Sequence, residues 1–319
     1  MTPARAASVY CVTGRDFFSG AVALLNSLRL LGHREPLYVL DCGMEGWQRD
    51  LLLEHATVLP APVDAPPSLL KHVAPLDHPD EVMIMLDADV ILTRPLNELI
   101  EAASGGALVA FRNDRNRFFA QWGELLDLGP LRPSPYLTSS AIVVARALAE
   151  RLLPVVGEKQ MSVDHGRTWL DGGEESDPLY YVDQDVLNAV IAARLRPEQV
   201  IGLDPRLAPI PPFTGLRLID AATLRCRYRD GTEPYLLHHA SRKPWLVPMR
   251  SNAYSRLLTR LLLGPDVALR LEPRDLPRRL RTGPAARAER LGTDLALSFP
   301  GIARRLRRRP APVRAWPSR

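Results

Sequence analysis

Two aspartates separated by one residue, Asp87 and Asp89, follow the apolar run Met83-Ile84-Met85-Leu86. In an extended segment that spacing puts both carboxylates on one side, where they can share a hard divalent cation that bridges the oxygens of a diphosphate. Such a pair also serves to cap a turn or the next helix, so its meaning depends on what converges on it. Late in the chain, His238 and His239 end the run Tyr235-Leu236-Leu237. Neighbours on a strand point to opposite faces, so only one of these imidazoles can join the aspartates. An Asp, Asp, His set leans towards manganese over magnesium, because imidazole suits transition metals. Lys243 follows within five residues, stiffened by Pro244 and Trp245, and can meet a phosphate as a point charge. Asp183 and Gln184 open a helical stretch, where an Asp is also an ordinary N-cap.

The elements that must position these groups alternate. Ser8 to Thr13 is a β-prone run ending at Gly14, and from Ser19 the residues Val22, Leu25, Leu28 and Leu31 recur at helical spacing until Gly32. Leu37 to Leu40 reads as a buried strand, Trp47 to Glu54 as a helix, Thr57 to Leu59 as a strand, and Val82 to Leu86 as the strand that delivers the aspartates. This alternation predicts a mostly parallel α/β sheet flanked by helices. Ligands in such sheets bind beyond the carboxyl ends of the strands, which is where Asp87 and Asp89 fall. Beyond them come a helix near Leu96 to Ala103, strands at Ala107 to Phe111 and Ser140 to Ala145, and a helix opened by Asp183-Gln184-Asp185. Tyr235 to His239 forms a late strand. The segments around 112–136 and 158–180 carry no clear periodicity and read as long loops of the kind that often carry function.

With 319 residues, 46% of them hydrophobic, the chain can bury one large core or two modest ones. Its three cysteines, Cys11, Cys42 and Cys226, show neither C-x-x-C spacing nor a pairing framework, so they read as buried thiols. The net charge of +5 is uneven: residues 251–319 hold sixteen arginines and five acidic residues, which leaves the rest of the chain net acidic. From Ser251 the composition turns arginine-rich and proline-broken. The reading is therefore an α/β domain over 1–250 and a partly helical basic extension over 251–319. Within the extension, Ser255 to Leu263 and Ile302 to Arg309 combine leucines with arginines and suit an anionic membrane surface. No aromatic platform accompanies the charge, which argues against nucleic acid. No run approaches the roughly 20 residues of a membrane-spanning helix, and no signal-peptide core opens the sequence. These features predict a cytoplasmic protein, peripheral at most on the inner face of the plasma membrane.

In this order the segments SVYCVTGRDFFSGAVALLNSLRLLG, LYVLDCGMEGWQRDLL, LDADVILTRPL, LTSSAIVVAR, VDQDVLNAV and HHASRKPW resemble the family 8 glycosyltransferases. That group contains glycogenin and the bacterial lipopolysaccharide galactosyl- and glucosyltransferases. The resemblance covers residues 8–247 and implies the GT-A fold of nucleotide-diphospho-sugar transferases. It implies a retaining hexosyl transfer from a UDP-sugar to a glycan, lipid-linked or small-molecule acceptor. Carried over by residue, it makes Asp87, Asp89 and His238 the ligands of Mn²⁺, with Mg²⁺ the alternative ion. Thr13, Lys71, Ala88, Ser139, Ser140 and Lys243 become donor-binding positions: Thr13 beside the uracil, Lys243 on the diphosphate. Asp183 and Gln184 match the family's D-Q motif nearest the anomeric carbon, with Gln184 the closer. The run Leu137 to Ala141 stands where the family usually has an Asn and a Gly, which leaves the sugar open.

Two other readings compete. A haloacid-dehalogenase-type phosphatase also places D-x-D after an apolar strand, but near its start and followed at the fifth position by Thr or Val, whereas this chain has Ile91 there. A non-catalytic nucleotide-sugar-binding or assembly protein could share the fold without turnover.

Overall fold

The computed structural model describes residues 6–240 and 242–298; Ser241 of the closing motif and the run Ile302 to Arg309 lie outside them. Strand β1 (Ala7–Thr13) leads into helix α1 (Phe18–Leu30), which is buried almost all round because it lies between the sheet and a later helix. Then come β2 (Leu37–Asp41), α2 (Gly46–Leu53) with a Glu45/Gln48 capping box, and β3 (Thr57–Pro60). The proline-rich connection ends in the short α3 (Val73–Asp77), and β4 (Val82–Leu86) is buried along its whole length. After it come β5 (Val90–Leu92), α4 (Asn97–Ser104), β6 (Leu108–Arg112), the single turn α5 (Trp122–Leu125) and β7 (Leu137–Ala145).

Helix α6 (Arg146–Ser162) has no counterpart in the periodicity reading and takes residues 158–162 out of the expected loop. Pro154 lies inside it, where the ring removes a hydrogen bond and disfavours helix. Burial of Leu148, Leu152, Leu153 and Val156 outweighs that cost. Next come α7 (Val182–Arg194), β8 (Val200–Leu203), the hairpin strands β9 (Arg217–Asp220) and β10 (Arg225–Arg227), and β11 (Leu236–His238). Helices α8 (Ala253–Leu263) and α9 (Pro284–Ser298) complete the described chain.

Seven strands form one sheet in the order β3-β2-β1-β4-β7-β6-β8. All neighbours are parallel except β7, which runs antiparallel to both β4 and β6. The α/β expectation therefore holds, with one reversed strand. That reversal matters for the site: because Leu86 pairs with Ala141, the N-terminal half of β7 lies beside the C-terminal end of β4. A separate two-stranded ladder joins β5 and β11 antiparallel, pairing Val90 with His238.

One core lies on the α1, α4 and α8 side of the sheet, the other under α6 and α7. Leu257, Leu258, Leu261 and Leu262 of α8 are completely buried in the first. Asn26, deep in α1, donates to the carbonyls of Leu261 and Leu269 (2.7 Å each) and accepts from the Leu269 amide at 2.9 Å. The segment Ser255 to Leu263, read from sequence as a membrane-facing surface, is thus a core helix, its leucines spent on α1. No helix among the described residues is long and apolar enough to cross a membrane. Cys11 and Cys226 are buried thiols, as expected, whereas Cys42 is half-exposed because β2 ends one residue before it.

Candidate functional site

The D-x-D aspartates sit on a turn rather than on the strand. β4 stops at Leu86, Val90 N–H donates to the Asp87 carbonyl at 3.1 Å, and β5 begins at Val90. Chain reversal, not strand alternation, brings the two carboxylates to one side. The Asp87 N–H donates to Ser140 O (2.9 Å), which ties the turn to β7. The ladder of β5 with β11 then delivers His238, and the His239 N–H donates to the Asp89 carbonyl at 3.1 Å. One ligand atom from each of Asp87, Asp89 and His238 lies within 4.8 Å of the others. His239 faces the other way, fully buried between the rings of Phe213 and Tyr254. Burial pushes its imidazole down to about 4, so it stays neutral.

Two lysines flank the cluster. Lys71 Nζ lies 2.6 Å from Asp87 Oδ1 and 3.2 Å from Asp183 Oδ2. Burial acts to lower its pKa, but the two carboxylates outweigh burial and raise it, so it remains a cation. Lys243 Nζ pairs with Asp89 Oδ2, donates to His239 O at 2.6 Å and lies over the Phe17 ring. Trp245, fixed by its indole N–H on Asp16 O (2.6 Å), packs edge-on against the same ring.

These neighbours separate the two aspartates electrostatically. Burial raises Asp87, and Asp89 beside it adds to the rise although Lys71 opposes it. Burial would raise Asp89 too, but His238 and Lys243 hold it well below the usual carboxylate range. Asp89 Oδ1 is buried and makes no hydrogen bond among the described residues; His238 Nε2 is 3.3 Å away without hydrogen-bond geometry. A buried anionic oxygen left in that state is costly, and a cation between two carboxylates and an imidazole resolves it. The donor set therefore fits a divalent metal.

The D-Q motif reaches the same place from the other core. Ser139, on β7, donates its Oγ to Asp183 Oδ2 (2.8 Å) and its N–H to Gln184 Oε1 (3.2 Å). Asn188, one turn on, exchanges two hydrogen bonds with the Leu137 backbone (2.7 and 2.8 Å) and so extends the edge of β7 onto α7. The remaining expected positions lie close by but differ in reach. Thr13 is buried at the end of β1, its hydroxyl on the carbonyl of Gly14. Ala88 is buried between the aspartates. The Ser140 hydroxyl turns to Thr138 (3.4 Å), so only its carbonyl serves the D-x-D turn.

Sequence reasoning missed several groups that hold this site. Tyr254, from α8, donates its hydroxyl to the Asp89 carbonyl at 2.9 Å. Gly20, in α1, lies so close to the Ala88 carbonyl that a Cβ there would overlap it and stand 2.8 Å from the Trp245 ring. Asp185 is completely buried, and Arg117 and Tyr136 converge on it. Tyr254 carries no local signal, whereas Asp185 stands in the Asp183-Gln184-Asp185 run and an acid at a helix start invites scrutiny.

No family model and no curated protein matches the sequence. Among solved structures the chain is similar to the WbbM bifunctional glycosyltransferase, with a TM-score of 0.55 and 13% identity over 83% of this chain and 51% of that one. It is similar to the galactosyltransferase LgtC in complex with donor and acceptor sugar analogs, with a TM-score of 0.53 and 14% identity over 81% of this chain and 98% of LgtC. An active-site Gln-to-Glu mutant of LgtC gives a TM-score of 0.55 and 13% identity over 83% and 98% of the two chains. The chain thus spans about half the length of WbbM and nearly all of LgtC. The seven-stranded sheet with flanking helices is the GT-A glycosyltransferase fold.

Proposed function

We propose that the chain is a metal-dependent, retaining glycosyltransferase that moves a hexose from a UDP-sugar to a glycan, lipid-linked or small-molecule acceptor. One observation carries this reading: Asp87, Asp89 and His238, with Lys71 and Lys243 beside them, meet the D-Q pair of α7 at the carboxyl edge of the sheet. Mn²⁺, or Mg²⁺, bound by the three ligands would neutralise charge on the departing diphosphate. Lys243 would add a second positive charge on that side, and Thr13, at the end of β1, would lie beside the uracil. Ser139 and Lys71 fix Asp183, and Ser139 orients the Gln184 amide. A neutral amide is a poor nucleophile, so Gln184 serves to orient the sugar and stabilise positive charge developing at the anomeric carbon.

The haloacid-dehalogenase-type alternative is not favoured, since the solved structures to which the chain is similar include the glycosyltransferases WbbM and LgtC. Among the described residues, contact with an anionic membrane would fall to α9, where Leu291 and Leu295 are exposed, and not to α8. The test of function is a panel of UDP-, GDP-, ADP- and TDP-sugars assayed for nucleotide release with and without Mn²⁺. Mn²⁺-dependent release of UDP is the expected result. Tight binding of a UDP-sugar with no release in any acceptor mixture would instead identify a non-catalytic binder.

A further inference from the structure

Resting on the reading just given, we propose that Arg117 is a positioning residue: through the buried Asp185 carboxylate it sets the first turn of α7, and with it Asp183 and Gln184, against the metal-binding edge. Arg117 comes from the irregular stretch after β6, and its hydrogen bonds go to Asp185, Glu175 and Asp177 rather than to Asp183 or Gln184. Its guanidinium forks onto Asp185, with Nε 3.4 Å from Oδ1 and Nη2 3.3 Å from Oδ2. The same group donates to the carbonyls of Glu175 (2.8 Å) and Asp177 (2.9 Å), on the segment leading into α7. It lies over the rings of Phe119 and Tyr181, 5.2 and 5.0 Å from their centroids.

Asp185 completes the device. Its side chain is completely buried, yet it accepts from Tyr136 Oη at 2.5 Å and from the Tyr181 N–H at 2.8 Å besides Arg117. Tyr181 is the residue that caps α7, so the carboxylate satisfies an amide that the helix leaves free at the end where negative charge is favoured. Four donors on one buried carboxylate fix the start of the helix in rotation and in depth, and Asp183 and Gln184 are the second and third residues of that start. Arg117 is the member that also grips the 175–177 backbone, so the approach to α7 and its first turn move together. A planar five-donor fork suits this role better than an ammonium, which keeps the charge but not the fork.

The test uses the full chain and four variants: Arg117→Met, Arg117→Lys, Asp185→Asn and the Arg117→Met/Asp185→Asn pair. Mn²⁺-dependent UDP release should show kcat lowered by about 10- to 100-fold in Arg117→Met with the donor KM changed less than about 3-fold, as expected for a misplacement of about 1 Å. Arg117→Lys should recover part of kcat. In the Asp185→Asn background the Met substitution should cost less than about 3-fold more, because the arginine acts through that carboxylate. Hydrogen exchange of residues 182–188 should speed up in Arg117→Met, a reading that needs no turnover. Unchanged kcat, equal changes in kcat and KM, or effects that multiply in the double variant would overturn the proposal. A wild-type chain that releases nucleotide from no donor overturns the glycosyltransferase reading instead; the exchange measurement then decides the positioning claim alone.

Discussion

Replacing Gly20 by alanine tests whether α1 sets the height of the metal-binding turn. A Cβ at Gly20 would overlap the carbonyl oxygen of Ala88, the residue between the two aspartates, and would lie 2.8 and 3.1 Å from two carbons of the Trp245 ring. Relief to ordinary contact requires the helix and the turn to part by about 1 Å. The helix cannot retreat freely, because α8 packs on its far side and Asn26 bonds to the Leu261 and Leu269 backbone. Overpacking of this kind costs about 1–3 kcal/mol. At about 2–4 °C per kcal/mol for a mid-sized domain, Tm should drop by several degrees. Because the strain is released at Ala88, the aspartates on either side move, and Mn²⁺-dependent turnover should fall by about 10²-fold. Gly292→Ala is the control: Gly292 lies within α9 with nothing within 4 Å of its would-be Cβ, so the change should raise helix stability by about 0.5–1 kcal/mol and leave turnover unchanged. Differential scanning calorimetry with the nucleotide-release assay reads both. Wild-type Tm and turnover in Gly20→Ala would refute the claim that α1 braces the site.

Three more outcomes follow from the same geometry. Asp89→Asn should destabilise the metal-free chain more than Asp87→Asn, because Lys243 loses its carboxylate partner whereas Lys71 keeps Asp183; a stranded buried charge costs about 3–5 kcal/mol, and thermal denaturation in chelator gives the order. Burial lifts Asp185 up to about 6, above its value in the unfolded chain, so the folded state binds its proton more tightly. The stability this contributes is full below the unfolded pKa of about 3.9 and is lost as pH rises through about 6, a change of about 3 kcal/mol, and the Tm of Asp185→Asn should vary less between pH about 4.5 and about 7.5. Asn26→Ala leaves three backbone groups of the α8 region without their partner at about 1–3 kcal/mol each, so hydrogen exchange at 257–271 should rise sharply.

Much of the fold is legible because burial is written in local pattern: β1, α1, β2 and β4 follow from apolar runs and helical spacing. What failed was information that is not local. Pro154 hides α6, since a ring that breaks most helices is outweighed here by leucines packed on α7 and β7. Three-residue β5 is too short to show a period, and only its pairing with the distant β11 makes it a strand across the turn at Asp87 to Asp89. Leucines and arginines on α8 read as a membrane face because sequence does not reveal that α1 offers an apolar partner. For the site, residue types and chain order pointed to the clusters that the structure brings together. The braces did not show: Tyr254 lies 165 residues from Asp89, and Arg117 lies 68 from Asp185.

The proposed function requires a divalent cation held by Asp87, Asp89 and His238. Electron paramagnetic resonance of Mn²⁺ titrated into the chain with UDP present measures that directly. Loss of the free-ion signal at a stoichiometry of about one ion per chain, abolished in Asp87→Asn and in His238→Ala variants that remain folded, is the predicted result. A wild-type chain that leaves the Mn²⁺ signal unchanged, or folded variants that bind as the wild type does, would contradict it.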